Sequence, residues 1–82
     1  MGELAVNWVP VESKMLAAVA YNHDWQHLYL KFRSGDIYCY REVRLEQYEE
    51  LLGADSKGKY VRERILNSYP YQRIYSAALT AS

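Results

Sequence analysis

Residues 28–43 read LYLKFRSGDIYCYREV, and this stretch decides the fold because two alternating runs flank a glycine turn. In the first run, Leu28, Leu30 and Phe32 alternate with Tyr, Lys and Arg, and the second run begins at Ile37. Alternation with a period of two is typical of strands, and glycine adopts the positive φ that a tight turn requires. The stretch therefore predicts a β-hairpin.

The predicted register of this hairpin follows from a two-residue loop at Ser34 and Gly35. Such a loop pairs Arg33 with Asp36 and assigns every following residue to one face of the sheet. The predicted core face carries Leu28, Leu30, Phe32, Ile37 and Cys39. The predicted opposite face carries Tyr29, Lys31, Arg33, Tyr38 and Tyr40.

Upstream of the hairpin, residues 13–21 predict a further strand. Its alternation is weak, because five consecutive residues, 16–20, are apolar, so an Ala-rich helix is the alternative. Asn22-His23-Asp24 is turn chemistry and ends the element. Residues 1–12 show no sustained period and contain Pro10, which predicts an extended arm anchored by Trp8 or Val11.

Downstream, the period becomes helical at Leu45, and Ser56 is a suitable N-cap for a second helix that Pro70 ends. Residues 71–75 predict a short extended segment, and residues 76–82 a flexible tail. The predicted fold class is α+β: a three-stranded antiparallel meander followed by two helices packed on its apolar face. We expect residues 13–75 to form a single domain.

Composition narrows the possible functions. The 82 residues include nine Tyr, two Trp and one Phe at zero net charge, which excludes a globally basic nucleic-acid binder. A local basic face remains open, because residues 56–82 hold five cationic side chains against one carboxylate. The single Cys excludes an intrachain disulfide, and the longest apolar run is too short for a membrane helix. We expect a cytoplasmic protein without a membrane segment.

Several short motifs match parts of catalytic or metal sites, but each lacks residues that the chemistry requires. The segment that begins at Gly53 matches the opening of a phosphate loop, but Tyr60 replaces the required Ser or Thr. His23, Asp24 and His27 lie in one turn without a further ligand, and Cys39 lies in a strand on the predicted core side. We therefore expect no enzyme activity, no metal and no cofactor. Ser56, Lys57 and Lys59 could form an anion site, although a capped helix with solvated lysines is the favoured explanation.

Several short motifs follow one another along the chain: Val11, Ser13, Ala20-Tyr21-Asn22, Leu28, Leu30, Phe32, Gly35, Tyr38, Tyr40, Val43, Tyr48, Leu51, Leu52, Ser56-Lys57-Gly58-Lys59-Tyr60 and Tyr69-Pro70-Tyr71. Their order and spacing resemble the KTSC domain, a family named for its occurrence at the C-terminus of some lysyl-tRNA synthetases. The resemblance spans residues 9–75. Members of the KTSC family are mostly small stand-alone proteins of unknown function, for which RNA binding has been suggested.

The sequence predicts a small binding module for RNA, because aromatic rings on a sheet with flanking cations hold single-stranded bases. The alternative partner is a protein, or a second copy of the chain, at the same aromatic surface. A purely structural alternative buries the rings beneath the arm and residues 69–75. The predicted RNA-binding residues are Tyr29, Lys31, Arg33, Tyr38, Tyr40, Lys57, Lys59, Arg62 and Arg64.

Overall fold

The computed structural model describes residues 6–75, which form one antiparallel sheet with helices on one side. The five strands lie in chain order across the sheet. Their bounds are β1 Val9–Pro10, β2 Leu16–Asn22, β3 His27–Phe32, β4 Ile37–Tyr40 and β5 Tyr71–Tyr75. The α+β class is confirmed, but the three-stranded meander is wrong, because the sheet has five strands.

The two additional strands come from segments that carry little periodic signal. Val9–Pro10 of the predicted arm pair with β2, and the extended segment after Pro70 pairs with β4. Proline lacks a backbone N–H, so Pro10 suits the edge position that β1 occupies. The alternative helix at residues 13–21 is excluded, because Leu16–Asn22 form β2. The predicted tail at residues 76–82 lies outside the described residues.

The hairpin between β3 and β4 is confirmed, but its predicted register is wrong by one residue. Leu30 lies opposite Tyr38, and Lys31 lies opposite Ile37. The loop has three residues and ends with Gly35 at a φ of 101°, while the Phe32 N–H donates to the Asp36 carbonyl at 2.9 Å. A three-residue loop closed by a left-handed glycine is a common hairpin connection. One extra loop residue rotates every side chain of β4 to the other face.

This shift exchanges the environments of the tyrosines and the predicted core residues in β4. Tyr38 and Tyr40 share the face of Leu28 and Leu30, which we call the helix-side face. Cys39 lies instead on the face of Tyr29. The assignment of Ile37 and Cys39 to the helix-packed core is therefore wrong, as is the assignment of Tyr38 and Tyr40 to the opposite face.

The core lies between the helix-side face and the helices. Helix α1 spans Leu45–Gly53, and helix α2 spans Lys57–Tyr60 and continues as a π-helical turn over Val61–Ile65. The Ser56 hydroxyl accepts a hydrogen bond from the Lys59 N–H at 3.3 Å, as expected for an N-cap. Among residues 6–75, no helix is long and apolar enough to cross a membrane. The buried core cluster is Leu16, Val19, Leu28, Leu30, Tyr40, Val43, Leu51, Val61 and Ile65.

Candidate nucleic-acid interface

The second face of the sheet carries a row of aromatic side chains. We call it the open face, because the helices of residues 6–75 pack on the other side; its residues are Trp8, His27, Tyr29, Lys31 and Cys39. Ring centroids are 6.1 Å apart from His27 to Tyr29 and 6.5 Å from Tyr29 to Trp8. Trp25, in the turn before β3, extends the row with its ring 6.1 Å from His27. The row therefore runs from the turn before β3, along β3, to the residue that precedes β1.

The position of each ring follows from strand alternation. His27 and Tyr29 are two residues apart on β3 and therefore point to the same side. Pro10 pairs with Ala18, and Trp8, two residues before Pro10, lies on the same side with its ring against Tyr29, which is the partner of Ala20. Ala18 and Ala20 have small side chains, so the large rings of the neighbouring strands fill the space above them. The alanines of β2 thus keep the aromatic row continuous.

Two cationic side chains, Lys31 and Arg41, lie near the aromatic row. The Lys31 ammonium lies 4.7 Å from the Trp8 ring centroid, a cation–π contact that holds the charge above the row. Arg41, just after β4, lies close enough to Cys39 to influence that thiol. None of the five strands contains an Asp or Glu residue. An anion approaching the sheet therefore meets Lys31 and Arg41 without a strand carboxylate between them.

Cys39 and Tyr29 are neighbours on the open face, and both stay neutral. Burial raises the pKa of the Cys39 thiol, although Tyr29 and Arg41 partly offset this. Burial also raises the pKa of Tyr29, and the adjacent thiol adds to the shift. A thiol with a raised pKa is a poor nucleophile. Cys39 is buried and free, so its contribution here is packing beneath the ring row.

The structure separates the residues predicted to bind RNA into three groups. Tyr29 and Lys31 lie on the open face. Tyr38, Tyr40 and Arg33 lie on the opposite side; Tyr40 is 3% exposed within the core, and Tyr38 is half-buried beside it. A ring as buried as Tyr40 offers no face to a base. The single surface predicted for all five of these residues is wrong, because the hairpin register differs.

The basic residues of the second helix form the third group and do not reach the open face. The Lys57 ammonium donates to the Ala54 carbonyl at 3.0 Å and so caps the end of α1. The Arg64 guanidinium lies over the Tyr60 ring at 5.8 Å, while Lys59 is exposed. Arg62 lines a groove that also contains Arg33. One of the two lysines of the predicted anion site therefore already has a backbone hydrogen-bond partner.

Three aromatic residues of the candidate interface are not predicted as contact residues from the sequence: Trp8, Trp25 and His27. The sequence predicts Trp8 only as an anchor of the arm, and His27 only as a turn residue. A signal is present, because His27 precedes Tyr29 and Lys31 by the period of two that defines one strand face. Trp25 is 70% exposed, which is unusual for a large aromatic residue and marks the surface directly.

Within residues 6–75, no three His, Cys, Asp or Glu side chains gather as metal ligands would.

Comparison with known proteins gives consistent results. The family profile of the KTSC domain matches residues 12–69. A protein of Tsukamurella paurometabola is 42% identical over 52 residues, which cover 63% of this chain and 78% of that protein. The lysine–tRNA ligase of a Nostoc species is 38% identical over 63 residues, which cover 77% of this chain and 11% of the ligase. A crystallised KTSC domain protein from Yersinia pestis superposes with a TM-score of 0.83 at 25% identity, over 87% of this chain and 100% of that one.

Proposed function

The chain belongs to the KTSC domain family, and from that premise we propose that it is a non-enzymatic module that binds single-stranded RNA on its open face. The row of rings from Trp25 through His27 and Tyr29 to Trp8 carries the proposal. Bases stack on aromatic side chains of a sheet whose other side is covered by helices. Each stacked base contributes about 1 to 3 kcal/mol.

The cations on the open face support RNA over an uncharged ligand. Lys31 lies above the Trp8 ring, where it can contact a phosphate that follows a stacked base. Phosphate neutralisation supplies much of the affinity for nucleic acids and makes that affinity depend on salt. Of the residues predicted from sequence, Tyr29 and Lys31 belong to the proposed site. The cytoplasmic location expected from the sequence stays a prediction.

One relative supports RNA as the class of ligand, because its name, lysine–tRNA ligase, includes an RNA substrate. The matching segment is 11% of that enzyme, so its aminoacylation activity does not transfer to this chain. No enzymatic activity is indicated for the KTSC domain. Binding without catalysis is the function that the open face can perform with its own residues.

The two tryptophans make the proposal directly testable, because Trp8 and Trp25 are the only Trp residues in the chain and both lie on the proposed site. A mixed-sequence single-stranded RNA dodecamer should quench their fluorescence, and the affinity should fall steeply as salt rises. Trp25→Ala should weaken binding by roughly 5- to 100-fold through loss of one stack. Lys31→Gln should reduce the salt slope by about one unit.

A matched control distinguishes binding at the open face from nonspecific attraction of RNA to any cation of the protein. Arg64→Gln removes a cation from the second helix, so it should leave both affinity and quenching unchanged. Circular dichroism must show that each variant keeps the parent fold. Absence of quenching and of binding by the parent at low salt would contradict the proposal, as would equal losses for Lys31→Gln and Arg64→Gln.

Protein binding is the second candidate, and exposed apolar side chains at the edges of the sheet favour it. Val9 in β1 and Ile74 and Tyr75 in β5 are each about 40% exposed. Such side chains are typical of interface cores. Association through them should change little with salt, whereas RNA binding should not persist at high salt. Measurement of molar mass at two salt concentrations therefore separates self-association from RNA binding.

A further inference from the structure

A cleft on the other side of the molecule contains a cluster of stacked tyrosines that the open face does not use. We call it the tyrosine cleft and define it by Phe32, Tyr38, Tyr40 and Tyr71. The Tyr71 ring lies 5.5 Å from Tyr40 at an interplanar angle of 30° and 5.8 Å from Tyr38 at 39°. The Phe32 ring meets Tyr38 edge-on at 5.5 Å. The cleft is open to solvent and has a volume of about 600 Å³, within the range of small-molecule sites.

Tyr71 forms the outermost ring of this cluster. It is 56% exposed, whereas Tyr40 beneath it is 3% exposed. Burial raises the pKa of Tyr40 to about 12, and the neighbouring Tyr38 and Tyr71 add to the shift, so the inner phenol is neutral. The cluster therefore has a fixed inner ring and an outer ring with room for a further planar group. Such an arrangement favours an aromatic ligand.

The polar side of the cleft is provided by three loops. The loop before β2 contributes Lys14, the hairpin loop contributes Arg33, and the turn after the π-helical segment contributes Asn67. The Arg33 Nε donates to the Ser13 carbonyl at 2.6 Å, which fixes the guanidinium at the mouth of the cleft. Asp36 also lines the cleft. Lys14 and Arg33 are the cationic residues of this lining, so an anionic group is best placed beside them.

A second depression continues from these two cations. We call it the cationic groove and define it by Lys14, Arg33, Lys57 and Arg62, with Glu12 and Asp55 as its acidic lining residues. Lys14, Met15 and Arg33 line both the groove and the tyrosine cleft. An aromatic surface therefore adjoins a basic surface through two shared cations.

We propose that the tyrosine cleft binds a nucleoside phosphate, with its base against Tyr71 and Tyr38 and its phosphates at Lys14 and Arg33. A nucleotide combines a planar ring with an anion a few ångströms away, and the cleft and groove combine the complementary surfaces in the same order. The Asn67 amide can hydrogen-bond the edge of the base, because it carries both donors and an acceptor. This site shares no residue with the open face and does not depend on the proposed RNA function.

The ligand could be a free nucleotide or the phosphorylated end of a strand, and the experiment uses a probe for each. ADP is titrated into the ¹³C-labelled protein while the ring resonances of Phe32, Tyr38 and Tyr71 are followed by NMR. A 5′-phosphorylated RNA trinucleotide and its 5′-hydroxyl counterpart form the second arm. Adenosine and inorganic pyrophosphate test the two halves of the ligand separately. We expect ADP to shift all three rings and to bind at least tenfold more tightly than either half.

Variants assign the binding to the cleft. Tyr71→Ala removes an exposed ring and should weaken ADP roughly 5- to 100-fold, and Lys14→Gln should weaken ADP but not adenosine. Trp25→Ala on the open face and Lys59→Gln on α2 are the matched controls and should leave ADP binding unchanged. A trinucleotide that depends on its 5′-phosphate and binds more tightly than ADP would identify a strand end as the ligand and support the same cleft.

Three results would overturn the proposal: no shift of the three ring resonances with either nucleotide probe, pyrophosphate binding as tightly as ADP, or full ADP affinity in Tyr71→Ala. The outcome is independent of the RNA proposal, because loss of RNA quenching in Trp25→Ala tests only the open face. RNA binding without ADP binding would contradict only the tyrosine cleft, and ADP binding without RNA quenching would contradict only the open face.

Discussion

Along β3, consecutive side chains enter two different environments. Leu28 and Leu30 are fully buried against the helices, whereas Tyr29 and Lys31 remain partly accessible on the open face. The helix-side face is held by apolar packing, and the open face by a single layer of rings that contact one another edge-on or tilted. The difference shows that one strand can supply core packing with alternate residues and a partly accessible aromatic surface with the others.

The largest expected effect tests this division with two adjacent residues. Leu30→Ala leaves a cavity in the core and should lower the free energy of unfolding by about 2 to 5 kcal/mol. Tyr29→Ala removes a partly accessible side chain from the open face, where loss of its edge-on ring contacts and of its partial burial should cost less, about 1 to 2 kcal/mol. Urea denaturation of both variants measures the contrast. Equal losses would mean that the open face is as much a core as the helix-side face.

The next effect is the pH dependence that follows from the burial of Tyr40. Burial raises the pKa of Tyr40 to about 12, against 10.0 for the unperturbed phenol. Below pH 10 the phenol is protonated in both states, so the full stability is present. Between pH 10 and 12 the unfolded chain releases this proton while the folded chain keeps it, and stability falls as pH rises.

We expect a loss of about 2 kcal/mol from Tyr40 over this interval. Tyr60, whose pKa is also raised to about 12 by burial and by its hydrogen bond to Glu50, adds to the fall. Urea denaturation at pH 9 and pH 12 should show a smaller difference for Tyr40→Phe than for the parent. Identical differences in the two proteins would place the Tyr40 phenol in solvent and remove it from the core.

Two glycines with different backbone conformations test the turn that joins β3 to β4. Gly35 has a φ of 101°, so Gly35→Ala should destabilise the hairpin by about 1 to 2 kcal/mol. Gly53 ends α1 without a positive φ, and no atom lies within 4 Å of the place that an added Cβ would take. Gly53→Ala should therefore stabilise the protein by about 0.5 to 1 kcal/mol. Thermal unfolding of the two variants should give shifts of opposite sign, and a stabilised Gly35→Ala would contradict the positive φ at Gly35.

Gly35 also explains how far the sequence predicts this molecule. Alternation predicts β3, the helical period predicts α1, and Ser56 predicts the N-cap of α2, because each depends on neighbours in the chain. The register of β4 depends on whether the loop has two residues or three, and Ser34-Gly35 is compatible with both. That single choice moves Tyr38 and Tyr40 across the sheet. Val9–Pro10 is too short to show a period, so β1 and the position of Trp8 are decided by pairing with β2.

The smallest effect separates two neighbouring lysines that the sequence treats alike. The Lys57 ammonium donates a hydrogen bond to the Ala54 carbonyl at the end of α1, where its positive charge is also attracted to the negative end of the helix dipole. Lys57→Gln should therefore lower stability by about 0.5 to 1 kcal/mol. Lys59 is exposed, and only its backbone N–H bonds to Ser56, so Lys59→Gln should change stability by less than about 0.3 kcal/mol.

Both substitutions remove one positive charge from the same helix, so each controls for the other. Neither lysine lies on the open face, and RNA quenching of Trp8 and Trp25 should be the same in both variants and in the parent. Unaltered stability in Lys57→Gln would show that its ammonium is free for a ligand, which would support the anion site predicted at the start of α2. A loss of RNA affinity in Lys59→Gln would extend the RNA-binding surface from the open face to the helix side of the molecule.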